Sequence, residues 1–142
     1  MSDNVVYRLF PEPIFKYKLK NFEDLNKKLS QYIYQLKDED SEGLKKSNKG
    51  GWHSKPFKLG NEDTIQQTFA KEIQKNIFDV FQKYGWKTKN VPITIQEMWA
   101  IINKNQDFNV LHSHPNCYLS AAYYVKAPKN CGKFEIECPN IA

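Results

Sequence analysis

The sequence predicts a single α+β domain over residues 1–142, with N-terminal helices packed on an antiparallel sheet. Apolar residues recur at three- and four-residue steps in two windows, residues 22–36 and 65–84, which is typical of amphipathic helices. After Pro92 the chain changes to β-rich segments bounded by turn-forming residues. Its 142 residues, 40% of them hydrophobic, suffice for one domain with a core of its own.

The N-terminal region predicts two short extended segments followed by a helix. Residues 5–10 and 14–19 are separated by a corner that contains Pro11. The helix is expected to begin behind Asn21, a residue type that caps helices, and to end near the charged run 37–40. Its apolar stripe consists of Phe22, Leu25, Leu29, Ile33 and Leu36.

A long connection and a second helix follow. Residues 41–60 are rich in Ser, Gly, Lys and Asn and predict an irregular loop, and loops of this length are often functional. His53 lies in this loop, where we expect a solvent-exposed side chain; a position at the mouth of a substrate site is the alternative. The second helix is expected over residues 65–84, with Gly85 just beyond its end.

The C-terminal region predicts three strands. Residues 93–102 form a long, partly two-sided apolar run, and the later runs 118–126 and 133–138 are separated by a turn. Because side chains of an extended chain alternate between two faces, every second residue of the middle run lies on one face. That face carries Tyr118, Ser120, Ala122 and Tyr124.

Charge and hydropathy exclude several classes of protein. The net charge of +5 and the pI of about 9.0 would suit nucleic acid, but Arg8 is the single arginine among 21 basic residues, and arginine usually reads phosphate and guanine. The lysines alternate with acids in the helical windows, as on solvated faces, so nucleic acid is not the expected partner. No apolar run reaches the roughly 18 residues of a membrane span, and residues 1–4 lack the basic-then-apolar pattern expected of a secretory signal. We expect a soluble, cytoplasmic protein without membrane contact.

The three cysteines follow no known metal or disulfide spacing. Cys117, Cys131 and Cys138 form an odd set without a Cys-x-x-Cys pair. This pattern argues against a disulfide framework and a zinc ribbon, and predicts reduced thiols packed as small apolar residues.

Two of the three histidines stand two residues apart, just before the middle predicted strand. In extended chain the side chains of His112 and His114 project to the same side, where two imidazoles can hold a metal ion. A catalytic metal site normally needs a third protein ligand. The alternative is a capped turn in which backbone and water satisfy both imidazoles.

The same region resembles a known family. Four motifs carry the likeness, in the chain order Trp-Ala-x-x-Asn, His-x-His-Pro, Tyr-Leu-Ser-x-x-Tyr-Tyr-Val-Lys-x-Pro and Gly-Lys-Phe-Glu. In these motifs the chain resembles iron(II)- and 2-oxoglutarate-dependent oxygenases that are distantly similar to prolyl hydroxylases. The likeness is sharpest over residues 99–139 and extends to residues 9–15 and 50–54. It implies a double-stranded β-helix, or jelly roll, of which this chain resembles the N-terminal and early-barrel part. It also implies ferrous iron and 2-oxoglutarate as cofactors, and hydroxylation of an unidentified substrate.

Site residues follow from this resemblance position by position. His112 takes the first metal position, and His114 the position that is a carboxylate in the wider superfamily, or a place in the second coordination shell. Tyr124 is similar to the hydroxyl that faces the distal carboxylate of 2-oxoglutarate, and Asn103 to a polar position in the same pocket. A turn-forming asparagine explains Asn103 equally well, and Trp99 is expected in the core.

The chain departs from the family after the histidine pair. The family uses a distal histidine and a basic residue, commonly arginine, and neither a histidine after His114 nor an arginine after Arg8 is present. We therefore expect a truncated barrel with open edges that is completed by a second copy or by a complementing chain, or that is marginally stable. A smaller α+β domain with the strands in another arrangement is the stable alternative. The competing hypothesis is a non-catalytic domain that keeps this scaffold and binds a partner through its open sheet edge.

Overall fold

A computed structural model of the protein describes residues 12–60 and 63–138. It confirms an α+β architecture in which helices combine with small antiparallel sheets. In chain order the elements are α1 (Phe22–Glu39), β1 (Asn48–Lys49), β2 (Trp52–His53), α2 (Ile65–Lys83), β3 (Ile101–Ile102) and β4 (Phe108–Asn109). The extended segment expected at residues 5–10 lies outside the described residues. No helix in the described ranges has the length and apolar character needed to cross a bilayer.

Both predicted helices are confirmed, with ends that follow from local chemistry. Asn21 precedes α1 in the left-handed conformation (φ 52°), although its side chain makes no capping hydrogen bond. Beyond α2, Gly85 adopts φ +68° and its N–H donates to the Gln82 carbonyl, while the Trp86 N–H donates to Phe81. A left-handed glycine that turns the chain back on the last helical carbonyls ends α2 where the sequence predicted.

The two helices pack against each other, and the apolar stripes that the periodicity predicted are partly buried, with most of their residues half-buried. Leu29 of α1 is 1% exposed, which is typical of the centre of a core. The other buried apolar residues are Trp52, Phe69, Ala70, Val80 and Ala100. The core thus combines both helices with β2 and the residue before β3.

A two-stranded antiparallel ribbon covers this core. β2 pairs with β3 in the register Trp52↔Ile102, and β1 pairs with β4 in the register Asn48↔Asn109. Backbone bonds extend the ribbon, since the Ser54 N–H donates to Ala100 and the Phe57 N–H donates to Met98. The prediction that residues 41–60 are irregular was therefore wrong at their centre, which pairs with a segment about 50 residues further on.

The ribbon is interrupted by a bulge at Gly50 and Gly51, opposite the longer loop at residues 103–107. Both glycines have positive φ (+72° and +43°). A Cβ at Gly50 would collide with the Asp107 carboxylate, and one at Gly51 with the Asn103 carboxamide. The left-handed backbone favours glycine at both positions, and an added side chain would displace the facing Asp107 or Asn103 side chain.

The three predicted C-terminal strands are largely unformed in the described part of the chain. Of residues 93–102 only Ile101–Ile102 joins a ladder, and residues 118–126 and 133–138 have no strand partner among the described residues. The alternation of faces is nevertheless present, since Tyr123 is half-buried against the helices whereas Tyr124 is exposed. A strand forms only where a neighbouring segment pairs with its backbone N–H and C=O groups. Because these segments have no such neighbour among the described residues, the jelly roll stays a prediction.

Candidate functional site

All three histidines lie in one row of stacked rings, together with Trp99. The His53 ring stacks on Trp99 with centroids 5.6 Å apart and planes 14° apart, and Trp99 stacks on His114 at 5.5 Å and 20°. His114 in turn lies 4.9 Å from His112, with planes 30° apart. We call these four residues the histidine row. The row joins β2, the segment just before β3 and the segment after β4.

His53 is buried at 6% exposure, so the expectation of a solvent-exposed loop histidine was wrong. The pairing of β2 with β3 causes this burial by bringing His53 opposite Ile101. Its Nδ1–H donates to the Ser54 carbonyl at 2.7 Å. Because the Trp99 indole lies between His53 and His114, His53 cannot approach the other two imidazoles.

The imidazoles of His112 and His114 converge. Their Nε2 atoms are 3.0 Å apart, and His112 Nδ1 lies 2.7 Å from the Val110 carbonyl oxygen. Since a carbonyl only accepts hydrogen bonds, His112 Nδ1 carries the proton and its Nε2 presents a lone pair to His114. This is the orientation in which a histidine binds a metal while a backbone carbonyl fixes its ring.

The separation suits two adjacent positions on one cation. Two metal–nitrogen bonds of about 2.1 Å at a right angle span about 3.0 Å between nitrogens. The same distance also suits a direct hydrogen bond if His114 Nε2 carries a proton. The two Nε2 atoms therefore fit a metal ion. Whether His114 Nε2 carries a proton decides between a shared metal ion and a direct hydrogen bond.

A third ligand does not come from the described residues. Within residues 12–60 and 63–138 no group of three or more His, Cys, Asp or Glu side chains is placed to hold a metal. Cys117 donates its thiol to the His114 carbonyl at 3.0 Å and so stabilises the turn after the pair. All three cysteines are exposed, and the expectation that they pack as small apolar residues was wrong.

Tyr124 lies in a separate hollow of about 250 Å³ and is 55% exposed. The neighbouring segment folds back across the Pro128–Cys131 turn, where the Cys131 N–H donates to the Pro128 carbonyl. It thereby brings Lys133 to the same hollow. Sequence reasoning searched for an arginine and missed this lysine, although it directly follows the glycine of the predicted turn.

The structure does not bring the four predicted site residues together. His112 and His114 are in contact, but no hydrogen bond or ring contact among the described residues joins them to Tyr124 or Asn103. Asn103 is exposed and its carboxamide covers Gly51 in the bulge, as a turn-forming asparagine would. The roles of Tyr124 and Asn103 stay predictions.

Tyr123 ties the Tyr124 segment to the helices. Its hydroxyl donates to the Asn26 carboxamide oxygen at 2.6 Å, and its ring packs on Phe69 at 4.8 Å. Burial raises the pKa of the Tyr123 hydroxyl, so the group stays a neutral donor. This anchor directs the side chain of Tyr124 away from the core.

A second anchor holds the end of α1 on β2. The indole N–H of Trp52 donates to the Asp40 carbonyl at 2.7 Å. A hydrogen bond from the Lys55 ammonium, and then one from the Gly43 N–H, lower the pKa of the Asp40 carboxyl. Asp40 Oδ2 and Lys55 Nζ lie 2.8 Å apart. These contacts fix β2, and with it His53 behind the stacked indole.

Comparison with known proteins gives one match. Residues 97–142 match a family model described as "Putative 2OG-Fe(II) oxygenase". This segment contains Trp99, His112, His114 and Tyr124, and it supports the resemblance where the motifs are sharpest. No curated protein and no solved structure matches the chain.

Proposed function

We propose that the protein is an iron(II)- and 2-oxoglutarate-dependent dioxygenase of the prolyl-hydroxylase-like kind that hydroxylates its substrate. The observation that carries the proposal is the convergence of two imidazole Nε2 atoms, 3.0 Å apart, inside the segment that matches the oxygenase family. Chain regions outside the match supply the two helices and the strands β1 and β2, which pair with β4 and β3 inside the match.

In this proposal His112 and His114 hold the metal. Bound ferrous iron supplies the activation of oxygen that such oxygenases use. The Val110 carbonyl keeps the proton on His112 Nδ1, so that its Nε2 stays available as a ligand. Trp99 supports the His114 ring from behind and restricts its rotation. Two neutral imidazoles bring no negative charge, so the site would be more positive than one that contains a carboxylate.

The cosubstrate site is proposed at Tyr124 and Lys133, with Asn103 as a further polar contact. A phenol hydroxyl and an ammonium in one hollow are suitable donors for a carboxylate of 2-oxoglutarate. In this role Lys133 replaces the arginine of the family. For the hollow to serve the histidine pair, the segment that carries it has to close toward His114.

The third metal ligand is proposed to come from a second copy of the chain, or from a complementing chain that pairs with the open backbone edges. A strand added there would cover apolar side chains such as Phe134, which is 64% exposed. A cytoplasmic location belongs to the same proposal, because a reducing compartment preserves both ferrous iron and the exposed thiols of Cys117 and Cys131.

The direct test follows the conversion of 2-oxoglutarate to succinate with ferrous iron under air. Turnover above background is expected for the wild-type protein, and none for His112→Ala. The matched control is Ser113→Ala, since Ser113 is an exposed residue between the two ligands with no described side-chain contact. Equal succinate formation by wild type and His112→Ala would overturn the proposal.

The competing candidate is a non-catalytic domain that binds a partner through residues 133–138. It is favoured by the exposed apolar side chains of Phe134 (64%) and Ile136 (57%), which lie outside the described strands. Light scattering of wild type and Ile136→Ser, each with and without a chelator, separates the two. Association that Ile136→Ser abolishes and a chelator leaves unchanged, without succinate formation, would favour this candidate.

A further inference from the structure

A cleft of about 650 Å³ opens on the face of the ribbon opposite to the histidine row. Neighbouring residues of a strand point to opposite faces, so Trp52 lines the cleft while His53 stacks on Trp99 behind it. Ile102, the partner of Trp52 in the ladder, also lines the cleft. The paired strands therefore separate this cleft from the candidate metal pair.

Three lysines from three separate segments converge on the cleft. Lys37 comes from the last turn of α1, Lys45 from the segment before β1, and Lys104 from the loop after β3. None of their ammonium groups has an ion-pair or hydrogen-bond partner in the part of the chain that the structure describes. Lys28, Lys55, Lys75 and Lys83 are the lysines that pair with a carboxylate among the described residues, and none of them lines the cleft.

The carboxylates of the cleft do not neutralise this charge. Asp107 accepts the backbone N–H of Lys104 through Oδ2 at 2.8 Å, and its other oxygen lies against Gly50. Glu42 is the second acidic residue of the lining. The lining thus contains three lysines and two acidic residues, and one of the two carboxylates accepts a backbone N–H.

The floor of the cleft is fixed in place. The Trp52 indole is held by the Asp40 carbonyl, and Gly51 has no room for a side chain beside Asn103. A rigid floor with mobile lysines above it loses little entropy in the backbone when a ligand binds. Only the long lysine side chains have to order.

We propose that this cleft binds a small anion that carries two or more phosphoryl groups, such as a nucleoside diphosphate. Lysine binds phosphate as a point charge without the planar geometry that arginine imposes. Three unpaired ammonium groups match two or more phosphoryl charges better than a single carboxylate. The volume of about 650 Å³ lies within the usual range of small-molecule pockets, whereas inorganic phosphate alone would leave most of it unfilled.

The test is a titration of the full chain with ADP and, separately, with inorganic pyrophosphate, followed by the indole N–H signals of the three tryptophans. A saturable shift of the Trp52 signal is expected, because this indole lines the cleft. The Trp86 signal serves as the internal control and should not move, since Trp86 packs on Tyr84 and Tyr118 instead. Equal shifts of both signals would overturn the site.

Charge variants then test the sign of the interaction. Lys45→Gln and Lys104→Gln should each weaken ADP binding about tenfold, the loss expected for one charge-assisted hydrogen bond. Glu42→Gln should strengthen binding, because it removes a repelling charge from the lining. Lys71→Gln, an exposed position on α2 outside the cleft, makes the same change in net charge and should leave the affinity unchanged.

Two outcomes contradict the proposal. If Lys71→Gln weakens binding as much as Lys45→Gln, the attraction comes from the overall charge rather than from a site. If a short RNA binds more tightly than ADP and shifts Trp52 and Trp86 together, the surface is a nucleic-acid face instead. Because the cleft is separated from the histidine pair, metal binding in Lys45→Gln should equal that of wild type whatever the fate of the proposed oxygenase function.

Discussion

The two halves of the described chain differ in how their side chains are held. All of its buried residues lie between Leu29 and Ala100, and none lies in residues 101–138. The candidate metal pair belongs to the exposed half, whereas the Trp99 and His53 rings behind it belong to the region of the core. A rigid support behind an exposed pair of ligands is an arrangement in which ligands can be positioned and still be reached by solvent.

Specific contacts join the two halves in addition to the β1–β4 and β2–β3 pairings. The Val110 N–H donates to the Ser47 carbonyl at 2.9 Å, Trp99 stacks on His114, and Tyr123 donates to Asn26. These contacts help to hold the segment of the histidine pair and the Tyr124 segment on the core. An exposed site can therefore be held in place by specific contacts with a well-packed scaffold. Each of these contacts can be tested by substitution.

The largest expected effect is the loss of stability when a leucine is truncated to alanine, and it should differ between the two halves. Leu29→Ala should lower the free energy of unfolding by about 2–5 kcal/mol, because it opens a cavity in a fully buried position. Leu111→Ala is the matched change in the exposed half, at 64% exposure, and should cost about 0.5 kcal/mol or less. Urea denaturation of both variants gives the comparison. Similar losses would mean that the halves are packed alike.

The next effect concerns the glycine bulge of the ribbon. Gly51→Ala should destabilise the protein by about 1–3 kcal/mol, because it combines a left-handed backbone with a collision against Asn103. Gly85→Ala is the matched control, since Gly85 also has positive φ (+68°) but has open space around it, and it should cost about 1 kcal/mol. Thermal unfolding of both variants measures the difference. A Gly85→Ala loss equal to that of Gly51→Ala would show that the Asn103 contact contributes nothing.

The Trp99 stack should affect metal binding more than stability of the fold. Trp99→Leu removes the flat support of His114 and should weaken binding of Ni²⁺ at the pair about tenfold, as loss of a supporting contact typically does. Trp99→Phe keeps an aromatic face and should restore most of the affinity. Calorimetric titration beside a melting curve separates the two roles. An affinity loss in Trp99→Leu that follows only from unfolding would refute a positioning role.

The smallest effect is the pH dependence that Asp40 contributes. The pKa of Asp40 is lower in the folded protein than in the unfolded chain. Its contribution to the free energy of unfolding is therefore fully present above the unfolded pKa of about 3.9. The contribution is lost as the pH falls through the lower, folded pKa. Asp40→Asn should therefore remove this contribution at pH 7, where it is small because the exposed pair with Lys55 is screened, and flatten the acid limb of the stability curve. An unchanged acid limb in denaturation curves between pH 2 and pH 6 would contradict this.

The sequence predicted the helices well because their signal is local. The apolar period of residues 22–36 and the glycine at position 85 specify where α1 and α2 lie without knowledge of the rest of the chain. The His112–His114 pair is also a local pattern, and its two side chains do project to one side. The α+β class follows from these local signals.

What the sequence could not predict depends on pairing over long distances. β1 and β2 contain two residues each, too few for any periodicity, and only their partners some 50–60 residues later bury His53 and align it with Trp99. Lys133 reaches the hollow of Tyr124 only because a turn folds the chain back. The lysine cleft likewise collects residues from three segments that share no motif.

Whether His112 and His114 share one cation can be measured by titrating the protein with Zn²⁺ and following the side-chain nitrogen signals of all three histidines by NMR. We predict that the Nε2 signals of His112 and His114 shift together and saturate at one metal ion per chain. The His53 signals should stay in place, because Trp99 separates His53 from the pair. A shift of only one member of the pair, or saturation that includes His53 equally, would contradict a cation shared by these two imidazoles.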